Sequence, residues 1–277
     1  MILRFPLKDV TVREVNEPRT VLSSGYADAF WQMNQDEFAM QVEGVGQFYA
    51  RDGREVEYAP APGASQASLE LYLNGSVYGA ILHQRKILPL HGSSFIVDGK
   101  GILVCGEAGA GKSSVTASFV LDGAIFLTDD VTPVVMREDV PCILALSDRI
   151  KLWKDTLEQL KLPAEGLSRI DSSTEKYYFP MANGIEDSFS LDTVFMLSIS
   201  EDPGIEFSEV NGAEKFLALR NEIYRWEYLE GMKENEPIYF DTLIRIARTT
   251  TVVKVSRSAD TQIERLRMAI SDYIFRQ

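Results

Sequence analysis

The alternation of apolar and polar positions divides the chain into a strand-rich opening and a longer stretch where strands and helices alternate. VTVRE (10–14) and VGQFYA (45–50) are rich in β-formers, and VGQFYARDGREVEYA alternates on both sides of Asp52-Gly53, a hairpin signal. Ala59-Pro60-Ala61-Pro62-Gly63-Ala64-Ser65 then forms the chain's one Pro/Gly/Ser-rich linker. From Ser68, an expected N-cap, Leu69, Leu73, Val77 and Ala80/Ile81 recur at helical spacing. Beyond Pro89 the period changes. SSFIV, a turn at Asp98-Gly99, and GILVC read as strands, followed by a helix from Ser113 to Leu121 stopped by Gly123, and the strand AIFL. This strand–loop–helix–strand order predicts a parallel sheet with right-handed crossovers. Downstream lie a strand TVFMLSI, helices over 213–224 and 237–248, and a strand TVVKV. A last helix carries Ile263, Leu266, Ile270, Tyr273 and Ile274 on one face. The expected class is α/β, with a small β-rich region over residues 1–60 and a larger domain over 68–277.

Composition narrows the partners. The 277 residues hold 28 Lys+Arg against 41 Asp+Glu, a net charge of −13. Without a basic cluster to neutralise phosphates, nucleic acid is not an expected partner, and an acidic surface is repelled by an anionic membrane leaflet. No apolar run reaches the length of a membrane-spanning helix. Cys105 and Cys142 make no disulfide framework, and His83 and His91, with no close cysteine pair, cannot complete a structural zinc site. MILRFPLKDV has none of the features of a signal peptide, so a cytoplasmic setting is expected.

The strongest chemical signal is Gly106-Glu107-Ala108-Gly109-Ala110-Gly111-Lys112-Ser113, a full match to G-x-x-x-x-G-K-[ST]. Glycines let the backbone wrap a phosphate with its N–H groups pointing inward, and the following helix aims its positive end at the same anion. Lys112 is placed to reach the β/γ oxygens and the Ser113 hydroxyl to ligate Mg²⁺, with Ser114 completing the nucleotide-binding stretch. The context is right, because an apolar strand precedes the loop and a helix follows it. A nucleotide or pyrophosphate ligand is expected.

A second signal is Ala124-Ile125-Phe126-Leu127-Thr128-Asp129-Asp130, an apolar strand ending in paired carboxylates 17 residues after Lys112. At a sheet's C-terminal edge one carboxylate can hold Mg²⁺ while its neighbour acts as a base. His91-Gly92, ahead of SSFIV, is a third feature and is weak alone.

Together these features resemble the HPr kinase/phosphorylase family, and more closely its short relatives, the HPr-type serine kinases. The resembling stretch runs from Leu69 to Val131, with His91 21 residues before Lys112 and Asp130 18 after it. RIKLW (149–153) and EKYYFP (175–180) resemble the short relatives more loosely. The resemblance implies a P-loop kinase core of the HPr kinase type over residues 68–277. It implies ATP and Mg²⁺, Asp130 as the base at the acceptor hydroxyl, Asp129 and Ser113 on the metal, Lys112 on the phosphates and His91 on the acceptor side. The implied acceptor is a serine of HPr-like protein or of a precursor peptide, and self-association through the kinase core is implied as well. The arginine-bearing glycine signature that full HPr kinase/phosphorylases carry after the Asp pair is absent, so a phosphorylase reaction is not implied.

Charge on a transferring phosphoryl group calls for a further cation, and Arg149, Lys151 and Lys176 are the candidates. Two other readings compete with a serine kinase. One is a P-loop kinase acting on a small hydroxyl compound, and the other is a non-catalytic ATP-binding sensor.

Overall fold

The computed structural model describes residues 3–171, 174–181 and 188–276. The chain folds as mixed α/β, in two units. The first comprises Met1–Pro89 and Ile223–Thr242, the second Leu90–Glu222 and Leu243–Gln277.

The first unit holds strands β1 (Thr11–Glu14), β2 (Tyr26–Ala27), β3 (Trp31–Met33), β4 (Glu37–Val42), β5 (Gly46–Arg51) and β6 (Glu55–Pro60), in the order β1-β6-β5-β4-β3-β2. The expected alternation sets the register. Met40, Phe48 and Tyr58 lie opposite one another across three strands, and Phe38, Ala50 and Val56 form the next row. All six are buried, so one face of the sheet is a continuous apolar surface. The β5–β6 hairpin turns at Asp52 and Gly53, both at positive φ, as a type I′ turn requires.

Helix α1 (Gln66–Tyr72) passes through a π-helical turn at Leu73–Val77 into α2 (Tyr78–Gln84). The expected apolar stripe is buried in full: Leu69, Leu73, Val77, Ala80 and Ile81. The cap, however, is Ser65, not Ser68. Ser65 has extended backbone, and its hydroxyl accepts the Ser68 N–H at 3.0 Å. A residue already inside the first turn cannot cap it. His83, at the end of α2, is fully enclosed. Its Nε2–H donates to Tyr224 O at 2.9 Å, the Tyr239 hydroxyl lies 3.2 Å from Nδ1, and Asn235 donates to its carbonyl at 2.9 Å.

The second unit carries β7 (Leu88–Val97), β8 (Lys100–Gly106), β9 (Ile125–Thr128), β10 (Val131–Arg137), β11 (Val140–Leu144), β12 (Arg149–Trp153), β13 (Ser168–Arg169), β14 (Lys176–Pro180), β15 (Ser188–Ser190), β16 (Thr193–Ser200), β17 (Ile205–Glu209) and β18 (Thr251–Ser258). Among the described residues nine strands form one mixed sheet, ordered β15-β11-β10-β7-β8-β16-β18-β17 with β9 beside β7. β8, β16 and β18 run parallel; β8 and β16 read as near-continuous apolar runs, as strands covered on both faces do, while β18 exposes Lys254. β9 does not neighbour β8 as the strand–helix–strand order suggested. β7 lies between them, antiparallel to both.

Helices α3 (Lys112–Leu121), α4 (Lys154–Gln159), α5 (Gly212–Asn221), α6 (Asn235–Thr249) and α7 (Ile263–Arg276) complete the chain. α5 is shorter than the expected 213–224. Val115 and Phe119 of α3 pack with Phe95, Val104, Phe195 and Val255 and with Leu266, Ile270 and Ile274 of α7. Its Ala117 instead faces Phe126, Ile150, Leu152 and Tyr177. The second cluster ties the three-stranded sheet β12-β14-β13 to α3. At its end Gly123 (φ +103) closes a Schellman motif, with Ala124 N–H on Phe119 O at 3.0 Å and Gly123 N–H on Val120 O at 3.1 Å. Cys105 and Cys142 are free and buried. No helix among the described residues is long and apolar enough to cross a membrane.

Candidate functional site

The glycine-rich loop leaves β8 at Gly106, whose φ is +128. A Cβ there would stand 2.2 Å from Leu197 O of the neighbouring β16, so only glycine admits this close approach. Gly109 (φ +84) and Gly111 (φ +107) turn the loop into α3, with open space around the Gly109 Cα. Lys112 opens the helix and folds back over the loop, its Nζ donating to Gly106 O at 2.6 Å and Glu107 O at 3.2 Å. Glu107, Ala108 and Gly109 are exposed, while Ala110 is buried. The Ser114 hydroxyl is turned to Thr156 Oγ1 of α4, 2.9 Å away.

Ser113 points to the acidic pair. Its Oγ donates to Asp129 Oδ1 at 2.7 Å, and Asp129 Oδ2 accepts the Lys151 backbone N–H at 2.8 Å. Asp129 thereby links the start of α3 to β12. Burial and the Asp130 charge push its carboxyl up, opposed by these two hydrogen bonds.

Asp130 sits at the centre of a three-residue γ-turn. Its φ is +71, and Val131 N–H donates across it to Asp129 O at 2.9 Å. Positive-φ γ-turns are rare and strained, and strain of this kind concentrates at functional positions. The turn places the Asp130 carboxylate 2.7 Å from Lys151 Nζ and 3.8 Å from His91 Nε2. Burial works to raise this carboxyl. The Lys151 charge and hydrogen bond, with His91 and Lys176, outweigh that and hold it well below the usual carboxylate range.

A buried ladder of hydroxyls fixes the turn against β7. Ser94 Oγ and Thr132 Oγ1 each lie 2.6 Å from Thr128 Oγ1, and Thr132 donates to Gly92 O at 3.1 Å. His91 lies within β7, next to Gly92, on a strand thus locked to the residues flanking Asp130. Its backbone N–H also donates to Glu222 O at 2.7 Å. The Glu222 carboxylate accepts the Gly106 N–H, and burial raises its pKa.

Two residues of this site carried no signal in the sequence. Glu222 is one. The other is Arg257 at the end of β18, whose Nε and Nη2 donate to Ala110 O at 3.0 and 2.9 Å, while Nη1 donates to Ser258 O at 2.9 Å. Arg257 is buried, and its acceptors are carbonyl oxygens. Both residues are far from the loop in sequence, and only the pairing of β8, β16 and β18 brings β18's end beside it.

The three candidate cations lie on one face of the small sheet, since Lys151 pairs with Tyr178 and Trp153 with Lys176 across β12 and β14. Arg149 lies over the Tyr178 ring at 3.9 Å, and Lys176 Nζ stands 5.5 Å from the Trp153 ring centre.

Among the described residues no group of three or more His, Cys, Asp or Glu forms a metal cage. Mg²⁺ does not need one, because it takes one or two protein oxygens and completes its shell with water and phosphate. The hydroxyl and carboxylate of Ser113 and Asp129, already 2.7 Å apart at the mouth of the loop, suit it.

No protein-family model matches the chain, and no curated protein matches it. Among solved structures it is similar to the Hpr(Ser) kinase/phosphatase from Coxiella burnetii, with a TM-score of 0.36 and 11% sequence identity over 68% of this chain and 97% of that one. That is a distant structural neighbour.

Proposed function

We propose that the chain is an ATP- and Mg²⁺-dependent serine kinase of the HPr kinase type, acting on a serine hydroxyl of a protein or peptide. The observation that carries this reading is the juxtaposition at α3's N-terminus. A G-x-x-x-x-G-K-S loop, a Ser–Asp oxygen pair and a second carboxylate with its own lysine and histidine meet there. A simple nucleotide switch needs the first two. It has no use for Asp130 in a strained turn beside His91.

In this reading the loop 106–113 holds the phosphate chain through backbone N–H groups and the α3 dipole. Lys112, now bonded to loop carbonyls, exchanges those acceptors for phosphate oxygens. Mg²⁺, when bound by Ser113 and Asp129, supplies neutralisation of β- and γ-phosphate charge. Asp130 orients the acceptor hydroxyl toward the γ-phosphorus and takes its proton. The new O–P bond forms as the β–γ bridging bond breaks, and ADP leaves with that electron pair. A carboxylate held so far below neutral is a weak base, which suits a loose transition state where the proton leaves late and orientation does most of the work. His91 flanks the same carboxylate and faces the incoming hydroxyl's side.

The test is mass spectrometry of the full chain with Mg-ATP and three acceptors: HPr, a serine-containing peptide encoded beside the gene, and free serine. A gain of about 80 Da, the mass of HPO₃, on a protein or peptide and lost in Asp130→Asn supports the reading. A gain on free serine alone makes it a small-molecule kinase. No gain on any acceptor, with ATP bound and Asp130→Asn unchanged in every respect, makes it a nucleotide sensor.

A further inference from the structure

We infer that Lys176 is the cation that meets the transferring phosphoryl group, an inference that rests on the kinase reading above. The sequence left three candidates, and the structure commits two of them elsewhere. The Lys151 ammonium is on Asp130 at 2.7 Å, and the Arg149 guanidinium is stacked on Tyr178 at 3.9 Å. Of the other cations at the site, Lys112 is assigned above to the phosphate chain from the loop side, and Arg257 serves Ala110.

Lys176 differs from all of these. Among the described residues its ammonium makes no hydrogen bond and no ion pair. The ammonium stands 5.5 Å from the centre of the Trp153 ring. It is nonetheless largely withdrawn from water, and the charges acting on it are those of Asp129, Asp130, Lys151 and Lys112, the residues of the proposed transfer site. An ammonium taken out of water without acceptors is unfavourable, and three phosphoryl oxygens would supply what it lacks. The β12–β14 register fixes its place. Lys176 projects from the same face as Lys151, two residues from Lys151's partner Tyr178, while the opposite face is anchored by Ile150, Leu152 and Tyr177 in the core. It therefore stands beside the carboxylate pair on a rigid strand, where charge developing on the γ-phosphoryl would be met without rearrangement of the backbone.

A cation that touches only the γ-phosphoryl has a distinct signature. Isothermal titration of the full chain with Mg-ADP and with Mg-AMP-PNP, together with turnover of Mg-ATP, separates it from a structural role. In Lys176→Met, ADP affinity is expected to stay within twofold of the parent. AMP-PNP affinity should fall at least tenfold and turnover at least fiftyfold, with Lys176→Arg recovering part of both. Lys176→Gln, a smaller and polar replacement, should give the same pattern if the Met variant does not fold. Equal losses for ADP and AMP-PNP, or AMP-PNP affinity within threefold of the parent, would overturn the assignment to Lys176 while leaving the kinase reading in place. A parent chain that binds neither nucleotide removes both.

Discussion

Lys151 joins the two carboxylates of the Asp129-Asp130 pair, its backbone N–H on Asp129 Oδ2 at 2.8 Å and its ammonium on Asp130 Oδ2 at 2.7 Å. One residue of β12 thus sets the position of one carboxylate and the proton affinity of the other. Lys151→Met keeps the backbone bond and removes the charge. The Asp130 carboxyl, no longer held down, should rise toward the ordinary range. The acid limb of the pH–rate profile then moves to higher pH by a unit or more, with turnover at neutral pH lower by about tenfold. Lys151→Arg should keep the parent profile. A Met variant whose acid limb does not move would show that the titrating group is not Asp130.

Ser113→Ala removes the donor to Asp129 Oδ1 and one of two oxygens proposed for Mg²⁺. Loss of a single hydrogen bond should lower stability by about 1 kcal/mol, seen in denaturant unfolding. The larger effect should be on metal dependence. Mg²⁺ is expected to strengthen ADP binding in the parent and to do so about tenfold less in the variant, while metal-free binding changes little. Equal Mg²⁺ enhancement in both proteins would remove Ser113 from the metal.

Arg257 presents a rigid fork to Ala110 O, at 3.0 and 2.9 Å, and so fixes the peptide just before Gly111. Lysine keeps the charge but cannot reproduce two parallel donors. Arg257→Lys should therefore weaken ADP and inorganic pyrophosphate binding alike, by about tenfold, because it loosens the loop and touches no single phosphate. A preference for one of the two ligands would mean that Arg257 contacts the nucleotide directly.

The sequence made the loop and the acidic pair legible because both are local: six glycine-loop positions, a lysine, a serine, and a strand with two carboxylates at its end. The β5–β6 hairpin of the first unit was legible for the same reason, since Phe48 and Ala50, and Val56 and Tyr58, follow a period of two, whereas β4 with Phe38 and Met40 was not read as a strand. What resisted reading was non-local. β7 lies between β8 and β9, a pairing no periodicity encodes. Glu222 and Arg257 reach the loop only through tertiary pairing. Ser65, not Ser68, caps α1 because backbone conformation selects the cap from the two serines at the helix start. His83, by contrast, gave no sign in the sequence that it would be buried and bonded at three atoms.

That burial makes His83 a pH-dependent element of stability. Enclosure pushes its pKa down to about 4 against an ordinary 6.5, although the hydrogen bond to Tyr224 works the other way. The folded state holds a neutral ring, whereas the unfolded chain takes up a proton as the pH falls through 6.5. The unfolded state therefore binds more protons between these values, and stability rises with pH across the window. The contribution is complete above about pH 6.5 and is lost progressively down to about pH 4, where the folded protein also protonates. The full span corresponds to about 3 kcal/mol. Trp31 and Trp226 lie in the first unit with His83, while Trp153 lies in the second. Urea unfolding of a Trp153→Phe background, followed by tryptophan fluorescence from pH 4.5 to 8, reports on the relevant unit. The parent should lose stability on acidification more steeply than His83→Phe, which has no ring proton to gain, and the two curves should run parallel above pH 7. Parallel curves below pH 6 as well would mean that the ring accepts a proton in place, with Tyr224 O and Tyr239 Oη accommodating the imidazolium.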